Sequence, residues 1–245
     1  MESWYPTSHG PEAMTVYYPT DRQPNAAAVV MVHGGGWRGG SRSLLDPEAR
    51  QAAAAGLVVF NIEYDLDSPR YPRQVQDVEA AIAHIRANSG MFGIDRDRVG
   101  GLGTSAGAQL IMQNVTTGRA PLKAVVGWSG PYDLTNHGGI KDRALAVNAA
   151  TVYLDCLPLT LNCEATAKQA SPLHNVTTGG PPTLLFNSTN ELIAADQMTG
   201  FADRLRAAGT PVEMHLLAGP RHAIAYADDA TAPTVAFLKE HLKRP

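Results

Sequence analysis

The sequence predicts an α/β fold, with a mostly parallel central sheet that carries helices on both faces. Short, continuously apolar runs alternate along the chain with amphipathic helical segments. This alternation is typical of parallel strands that are buried on both faces. The segments with chemically interesting residues also follow strand-like runs, and ligands of such sheets bind at the carboxyl ends of strands. We expect the 245 residues to form one domain, 1–245.

Seven runs have the composition of strands and cover residues 14–18, 28–33, 57–63, 98–102, 124–128, 183–187 and 212–217. The clearest helix is predicted over residues 75–88, because its apolar residues recur at a spacing that places them on one face. Further helices are predicted over residues 51–55, 106–114, 196–208 and 232–243.

A segment of about 40 residues, 135–176, interrupts the alternation. It contains Gly138-Gly139, two cysteines and Pro158, with helical propensity over residues 143–153. A long insertion beside an active site is usually a lid or a pocket wall. A packed surface excursion without a functional role is the alternative.

The motif Gly103-Thr-Ser-Ala-Gly107 lies between a predicted strand and a predicted helix. In this context G-x-S-x-G is a sharp turn that exposes its serine as a nucleophile, here Ser105. The helix that follows directs its free N–H groups toward the same place. A glycine-rich turn with a serine cap is the simpler alternative for the pentapeptide alone.

A second glycine-rich motif, His33-Gly-Gly-Gly-Trp37, follows the buried strand 28–33. Acyl-transfer enzymes need backbone N–H donors directed at the oxygen that becomes negative, and glycines leave those donors accessible. A phosphate-binding loop is disfavoured because neither Gly-Lys-Ser/Thr nor G-x-G-x-x-G is present. The order of the two motifs therefore indicates a serine hydrolase.

The general base of such an enzyme comes from a loop at the carboxyl end of the sheet. His222 follows the last predicted strand, in Ala218-Gly-Pro-Arg-His222. His215 lies inside that strand and is predicted to be structural. His222 is therefore the predicted base among the eight histidines of the chain.

From about Val29 to Leu238 the chain resembles small bacterial esterases of the α/β-hydrolase superfamily, near the hormone-sensitive-lipase-like and feruloyl-esterase-like groups. The resemblance includes the two glycine motifs, Tyr71-Pro-Arg-Gln-Val-Gln-Asp77 and Gly130-Pro-Tyr-Asp-Leu134. It implies an α/β-hydrolase fold with Ser105 as nucleophile and His222 as base. It also implies an oxyanion hole formed by three backbone N–H groups, those of Gly35, Gly36 and Ala106.

The resemblance fails at the catalytic acid. Relatives carry an aspartate after the strand predicted at 183–187, whereas this chain reads Asn187-Ser-Thr-Asn190-Glu-Leu-Ile193. The acid position of the triad therefore aligns with Asn190. An asparagine is neutral and can hold the histidine in the wrong tautomer. The equivalent change in a serine protease costs about 10⁴ in turnover, or roughly 5–6 kcal/mol.

Four explanations remain open from the sequence. Another carboxylate can supply the acid, with Glu191 and Asp133 as candidates, although the neighbour of Asn190 is expected to point away from the base. The protein can instead be a slow esterase with an asparagine-supported histidine. The asparagine can have been introduced to trap a substrate. Finally, the scaffold can perform non-hydrolytic chemistry, with His222 as a proton shuttle.

The composition excludes several other classes of protein. With 44% hydrophobic and 18% charged residues, the chain has the composition of a soluble globular protein. A net charge of −3 with scattered cations disfavours nucleic acid as a partner. No apolar stretch reaches the ~18 residues that span a membrane. The start, Met1-Glu-Ser-Trp-Tyr-Pro, does not resemble a signal peptide, although a mature secreted form would look the same.

The two cysteines, Cys156 and Cys163, can form either a short disulfide or two buried thiols. Their number and spacing suit neither a zinc site nor a redox motif. The family resemblance favours the disulfide, which would suit export, whereas the N-terminus favours the cytoplasm. The compartment therefore stays open at this point.

Together these patterns predict a carboxylic ester hydrolase that acts on short or aromatic acyl groups through an acyl-enzyme on Ser105. Trp37 and the 135–176 segment are expected to shape the substrate pocket. No cofactor and no metal are implied, and the expected partner is a small-molecule substrate. The alternatives are an amidase or formamidase, a cyclase or lyase, and a binding protein without activity. The sequence does not define the oligomeric state.

Overall fold

A computed structural model describes residues 1–68, 70–135, 143–158 and 160–243 of the protein. Eight strands lie in these ranges, and we number them in chain order. They are β1 (Glu2–Thr7), β2 (Gly10–Tyr17), β3 (Ala26–Val32), β4 (Val58–Ile62), β5 (Ile94–Thr104), β6 (Val125–Trp128), β7 (Thr183–Ser188) and β8 (Val212–Leu217).

Eight α-helices connect or follow the strands in the same ranges. They are α1 (Asp46–Ala54), α2 (Arg73–Ala87), α3 (Ser89–Phe92), α4 (Ala106–Thr116), α5 (Arg143–Leu154), α6 (Leu161–Gln169), α7 (Ala195–Ala207) and α8 (Ala227–His241). Short 3₁₀ helices also occur, and the one at Ala223–Tyr226 immediately follows the predicted base.

The strands form one sheet in the order β1-β2-β4-β3-β5-β6-β7-β8. The pairings β1–β2 and β2–β4 are antiparallel, and every pairing from β4 through β3 to β8 is parallel. The mostly parallel sheet and the α/β class predicted from the sequence are thus confirmed.

The strand β3 shows why the central strands are continuously apolar. All seven of its residues are buried. Alternate side chains enter two different cores, with Val30 on the face covered by α2 and α4 and Val29 on the face covered by α1 and α8. Because successive side chains of a strand point to opposite faces, a strand covered on both sides needs an apolar residue at every position. Full burial of one such valine contributes about 1.5–3 kcal/mol.

Strand β1 was not predicted from the sequence, and two helices begin earlier than predicted. In β1 only Tyr5 is buried, because an edge strand needs few apolar side chains. Helix α1 begins at Asp46 rather than residue 51, with a proline in its first turn, where the missing N–H has no helical partner in any case. Helix α8 begins at Ala227 rather than residue 232, and Asp228 and Asp229 complement its N-terminal dipole.

Parallel pairing brings the functional segments to one edge of the sheet. The register places Val32 beside Gly103 and Thr104 beside Trp128, so that β3, β5 and β6 end at the same level. Strand β7 ends beside β8 in the same way, with Ser188 opposite Leu217. The loops that follow these five strands therefore converge.

Candidate active site

Ser105 occupies the tight turn between β5 and α4. Its backbone has φ 51° and ψ −119°, a conformation that costs a non-glycine residue about 1–3 kcal/mol. Its N–H donates to the carbonyl of Trp128, at 2.7 Å, which fixes the turn against β6. A side chain on Gly107 would place its Cβ 2.2 Å from the carbonyl oxygen of Val32, so only glycine fits there. The turn thus holds the serine in a strained position, as the motif predicts.

His222 reaches the serine from the loop after β8. Its Nε2 lies 2.9 Å from Oγ of Ser105, within hydrogen-bond distance. The side chain is about one quarter exposed, which leaves the base accessible to a substrate or a water molecule. By contrast, His215 lies within β8 and stacks on Phe186 with ring centroids 4.8 Å apart. The structure therefore brings His222, and not His215, to the predicted nucleophile.

The partner of His222 Nδ1 is Glu191, whose Oε2 is hydrogen-bonded to that nitrogen. The side chain of Glu191 is fully buried. Its other oxygen accepts hydrogen bonds from the N–H of Ser188, at 2.7 Å, and from Oγ of Ser129, at 2.8 Å. These donors hold the buried carboxylate in one orientation, and their hydrogen bonds offset the cost of burying its charge.

The sequence aligned Asn190 with the acid, whereas the structure places the carboxylate of its neighbour Glu191 against Nδ1 of His222. Asn190 is exposed, and its backbone N–H donates to the carbonyl of Gly219 at 3.0 Å. Glu191 was expected to point away from the base because its neighbour Asn190 was aligned with the acid. Strand β7 ends at Ser188, and the chain then turns, so that the side chain of Glu191 folds back onto the N–H of Ser188. An acidic residue one position after the aligned site was the available signal.

Asp133, the other candidate acid, is engaged within its own loop. Its Oδ1 accepts from the N–H and the hydroxyl of Thr135 at 2.9 and 2.6 Å. The same oxygen lies 3.3 Å from Nε2 of His174. The structure therefore gives Asp133 a local role, while the carboxylate beside His222 is that of Glu191.

The glycine loop after β3 lies against the nucleophile turn. Gly35, Gly36, Ser105 and Ala106 line one cavity together. Gly35 has φ 134°, and a Cβ there would lie 1.9 Å from the carbonyl oxygen of Gly39. As the first residue of α4, Ala106 carries an N–H that has no partner within the helix. The three predicted oxyanion residues are thus brought together beside the serine.

His33 anchors the start of this loop in the protein interior. Its Nδ1 lies 2.7 Å from the carbonyl oxygen of Gly34, and its Nε2 lies 3.2 Å from Oε1 of Glu63. The ring stacks on Tyr64 at 4.4 Å. Burial opposes the charge of Glu63, but contacts with His33 and Arg42 hold its pKa below the ordinary value. The loop is therefore tied to the chain that follows β4.

Trp37, the predicted substrate-binding residue, lines the cavity but is itself largely buried. Its ring stacks on Tyr153 of α5 at 4.5 Å, and its Nε1 donates to Oε1 of Gln109 at 2.7 Å. Gln109 belongs to α4 and donates in turn to the carbonyl of Ala170, at 2.7 Å. These contacts join the glycine loop to α4 and to the insertion.

The cavity beside Ser105 has a volume of about 250 Å³ and mostly apolar walls. Most of this wall is formed by residues that were not named individually from the sequence, which are Pro131, Leu134, Leu145, Ala149, Ala150, Leu192 and Ile193. Their apolar character alone does not distinguish them from core residues. Three of them belong to α5, within the insertion predicted at 135–176.

The insertion contains α5 and α6, and Cys156 and Cys163 form a disulfide between them. The alternative of two buried thiols is therefore not what the structure shows. Gly138 and Gly139, which the sequence analysis also noted, lie outside the described residues. Among the residues that the structure describes, no helix combines the length and hydropathy needed to cross a membrane.

Comparison with known proteins identifies a family. The sequence profile of the BD-FAE family matches residues 14–205. Esterase LipC of Mycobacterium tuberculosis is 31% identical over 231 residues, which cover 85% of this chain and 56% of LipC. The probable carboxylic ester hydrolase LipM of the same organism is 27% identical, over 90% of this chain and 54% of LipM. The chain thus spans about half the length of these curated relatives.

Solved structures show the same fold. A bacterial heroin esterase superposes with a TM-score of 0.89 at 24% identity, over 100% of this chain and 84% of the esterase. The carboxylesterase EstE1, cloned from a metagenomic library, superposes with a TM-score of 0.85 at 23% identity, over 100% of this chain and 89% of EstE1. At these identities the likeness establishes the α/β-hydrolase fold.

Proposed function

The chain belongs to the BD-FAE family, and we propose that it hydrolyses carboxylic esters of short or aromatic acyl groups through an acyl-enzyme on Ser105. The observation that carries the proposal is the continuous line of contacts from Ser105 through His222 to Glu191. The nucleophile contacts the base, and the base contacts the acid, which is the spatial arrangement that ester hydrolysis by a serine requires. The names of LipC and LipM, both ester hydrolases, support the same chemistry.

In the first half of the reaction, Nε2 of His222 accepts the proton of the Ser105 hydroxyl while Oγ attacks the ester carbon. The carbonyl oxygen becomes negative, and the N–H groups of Gly35, Gly36 and Ala106 are the donors that we assign to it. His222 then gives the proton to the departing alcohol, which leaves the acyl group on Ser105. In the second half, water repeats the attack and releases the acid.

Glu191 supplies what Asn190 could not. Its buried carboxylate accepts from Nδ1 of His222, which keeps Nε2 free to accept the serine proton. The negative charge also stabilises the imidazolium that forms during attack. With Glu191 as the acid, this proposal does not need an asparagine-supported triad, a disabled triad or a non-hydrolytic scaffold.

The cavity supports a small acyl group. Its volume of about 250 Å³ is below the roughly 300–1,000 Å³ typical of pockets for drug-sized ligands. The apolar wall favours a short alkyl chain or an aromatic ring over a charged group. Leu145 of α5 is more than half exposed and lines the same cavity, so part of the wall lies at the surface.

The test is hydrolysis of p-nitrophenyl acetate, butyrate, benzoate and decanoate by the wild-type protein and by Ser105→Ala. We expect the acetate, butyrate and benzoate to be hydrolysed with higher kcat/KM than the decanoate. Ser105→Ala should lower kcat by at least about 10⁴-fold, as expected for loss of a catalytic serine. Full activity in Ser105→Ala would refute the acyl-enzyme mechanism, and a preference for decanoate would refute the proposed substrate class.

A further inference from the structure

A second serine with an unusual backbone lies beside the proposed triad. Ser129 directly follows β6 and has φ 51°, in the left-handed region that non-glycine residues rarely adopt. Its side chain is fully buried, and its N–H donates to the carbonyl of Phe186 at 2.8 Å. A strained conformation persists where the surrounding contacts determine it, and it often marks a functional position.

The hydroxyl of Ser129 uses all of its hydrogen-bonding capacity. It donates to Oε1 of Glu191 at 2.8 Å, accepts from the N–H of Ala223 at 2.9 Å, and lies 2.7 Å from the hydroxyl of Tyr226. An ionised carboxylate only accepts, so the single hydroxyl proton of Ser129 goes to Glu191. The hydroxyl of Tyr226 is therefore the donor of this pair, and it shares its single proton between Oγ of Ser129, at 2.7 Å, and the carbonyl oxygen of Phe186, at 3.2 Å.

These bonds connect the two loops that carry the acid and the base. Ala223 is the residue after His222, and Glu191 lies in the loop after β7. Ser129 thus fixes Oε1 of Glu191 and leaves Oε2 for His222. Ser188 reinforces the connection, because its N–H donates to the same Oε1 and its hydroxyl donates to the carbonyl of Arg221.

We infer that Ser129, supported by Tyr226, is a positioning residue. It holds the Glu191 carboxylate and the loop of His222 in the relative position that catalysis requires. This inference rests on the proposed esterase function. Two accepted bonds polarise the Ser129 hydroxyl and strengthen the bond that it donates. Without that donor, the buried carboxylate loses a charge-assisted bond and can rotate away from Nδ1.

The main test compares kcat and KM for p-nitrophenyl butyrate in the wild type and in Ser129→Gly. Glycine removes the hydroxyl and accepts the left-handed backbone without strain, so the turn is preserved. We expect kcat to fall about 10- to 100-fold, the rate equivalent of one hydrogen bond to a charged group, with little change in KM. An unchanged kcat would overturn the inference.

A second pair of variants keeps the test informative if Ser129→Gly does not fold. Tyr226→Phe removes one buried hydroxyl that supports Ser129. Tyr132→Phe removes the hydroxyl of another fully buried tyrosine, one that is hydrogen-bonded to neither Ser129 nor Glu191. We expect kcat to fall about threefold to tenfold in Tyr226→Phe, the size of one neutral hydrogen bond. Tyr132→Phe should retain the wild-type kcat. Equal kcat values in the two variants would overturn the inference.

A spectroscopic reading distinguishes positioning from a general loss of stability. The hydrogen bond between Nδ1 of His222 and Glu191 should give a downfield imidazole proton in the NMR spectrum of the wild type. We expect this signal to shift or broaden in Ser129→Gly and Tyr226→Phe but not in Tyr132→Phe. An unshifted signal in both network variants would overturn the inference. If Ser105→Ala were fully active, the proposed function itself would fail instead.

Discussion

At the level of single residues, Glu191 is a charged side chain with no exposed area. Such a group is costly to bury unless donors surround it, and here Ser129, Ser188 and His222 supply them. Ser129 directly follows β6, Ser188 is the last residue of β7, and His222 lies in the loop after β8. Two of the three donors, Ser129 and His222, are distant from Glu191 in sequence, so the environment of the charge depends on the folded sheet.

The role of Glu191 can be separated from that of Asn190 by substitution. We expect Glu191→Gln to lower kcat for p-nitrophenyl butyrate by about 10³- to 10⁴-fold, because a neutral amide can hold His222 in the wrong tautomer. Asn190→Asp should leave kcat nearly unchanged, since this residue is exposed and Nδ1 already has a carboxylate partner.

Asp133→Asn is the matched control, because it neutralises a partly buried carboxylate that is engaged with Thr135. Steady-state kinetics of the three variants decides the assignment. A large loss in Asp133→Asn together with a nearly wild-type Glu191→Gln would assign the acid to Asp133. A large gain in Asn190→Asp would restore the alignment of the acid with that position.

At the level of secondary structure, the disulfide joins the two helices of the insertion. Cys156 follows α5, and Cys163 lies in the first turn of α6. Helix α5 also contributes Ala149 and Ala150 to the cavity wall and Tyr153 to the stack on Trp37. The position of α5 therefore affects both the pocket and the glycine loop.

Removing this crosslink should destabilise the protein. A short loop of this length corresponds to about 2–3 kcal/mol of chain entropy in the unfolded state. For a chain of this size, that loss corresponds to a decrease in Tm of roughly 5–10 °C. We expect the decrease in Cys156→Ser/Cys163→Ser and in the wild type with reductant, measured by thermal unfolding. The double variant should not respond to reductant. An equal Tm for oxidised wild type and double variant would contradict the expectation.

Elements with a strong periodic pattern were predictable from the sequence, and elements defined by tertiary context were not. Strands β3, β6 and β7 lie within about two residues of their predicted bounds, because burial on both sides requires continuous apolar runs. Helix α2 does so because its apolar residues recur at a helical spacing. Strand β8 also matches its predicted bounds, although none of its residues is buried. Strand β1 is visible only through its pairing with β2, since five of its six residues lack full burial. The pairing of Glu191 with His222 likewise depends on a turn after β7.

At the level of the whole molecule, Arg42 connects the sheet edge to the site. It donates to Oε2 of Glu63 at 2.9 Å and to Oε2 of Glu2 at 2.6 Å. Glu63 in turn contacts His33 at the base of the glycine loop. Both carboxylates have a lowered pKa. For Glu2 the main cause is the hydrogen bond from Thr15, and for Glu63 contacts with His33 and Arg42 outweigh burial.

The stability of the fold should therefore depend on pH through Glu63. A carboxyl group whose folded-state pKa lies below its ordinary value of 4.5 stabilises the fold above that pH. This contribution is lost as the pH falls through the lower folded-state pKa. Glu63→Gln cannot ionise, so we expect its free energy of unfolding to be about 2 kcal/mol lower at pH 7, the size of a hydrogen bond to a charged group. The difference should shrink below pH 4.5.

Glu2→Gln is the control for this experiment, because Glu2 pairs with the same arginine but its side chain is 59% exposed, against 17% for Glu63. Exposed ion pairs contribute only about 0–1 kcal/mol, so its loss should be small at every pH. Urea unfolding of the wild type and both variants from pH 8 to pH 4 measures the three curves. Since Glu63 also contacts His33, we expect only Glu63→Gln to lower kcat together with stability. Equal losses of stability and of kcat in the two variants would contradict this expectation. They would show that Arg42 stabilises the sheet edge but does not affect the active site through Glu63.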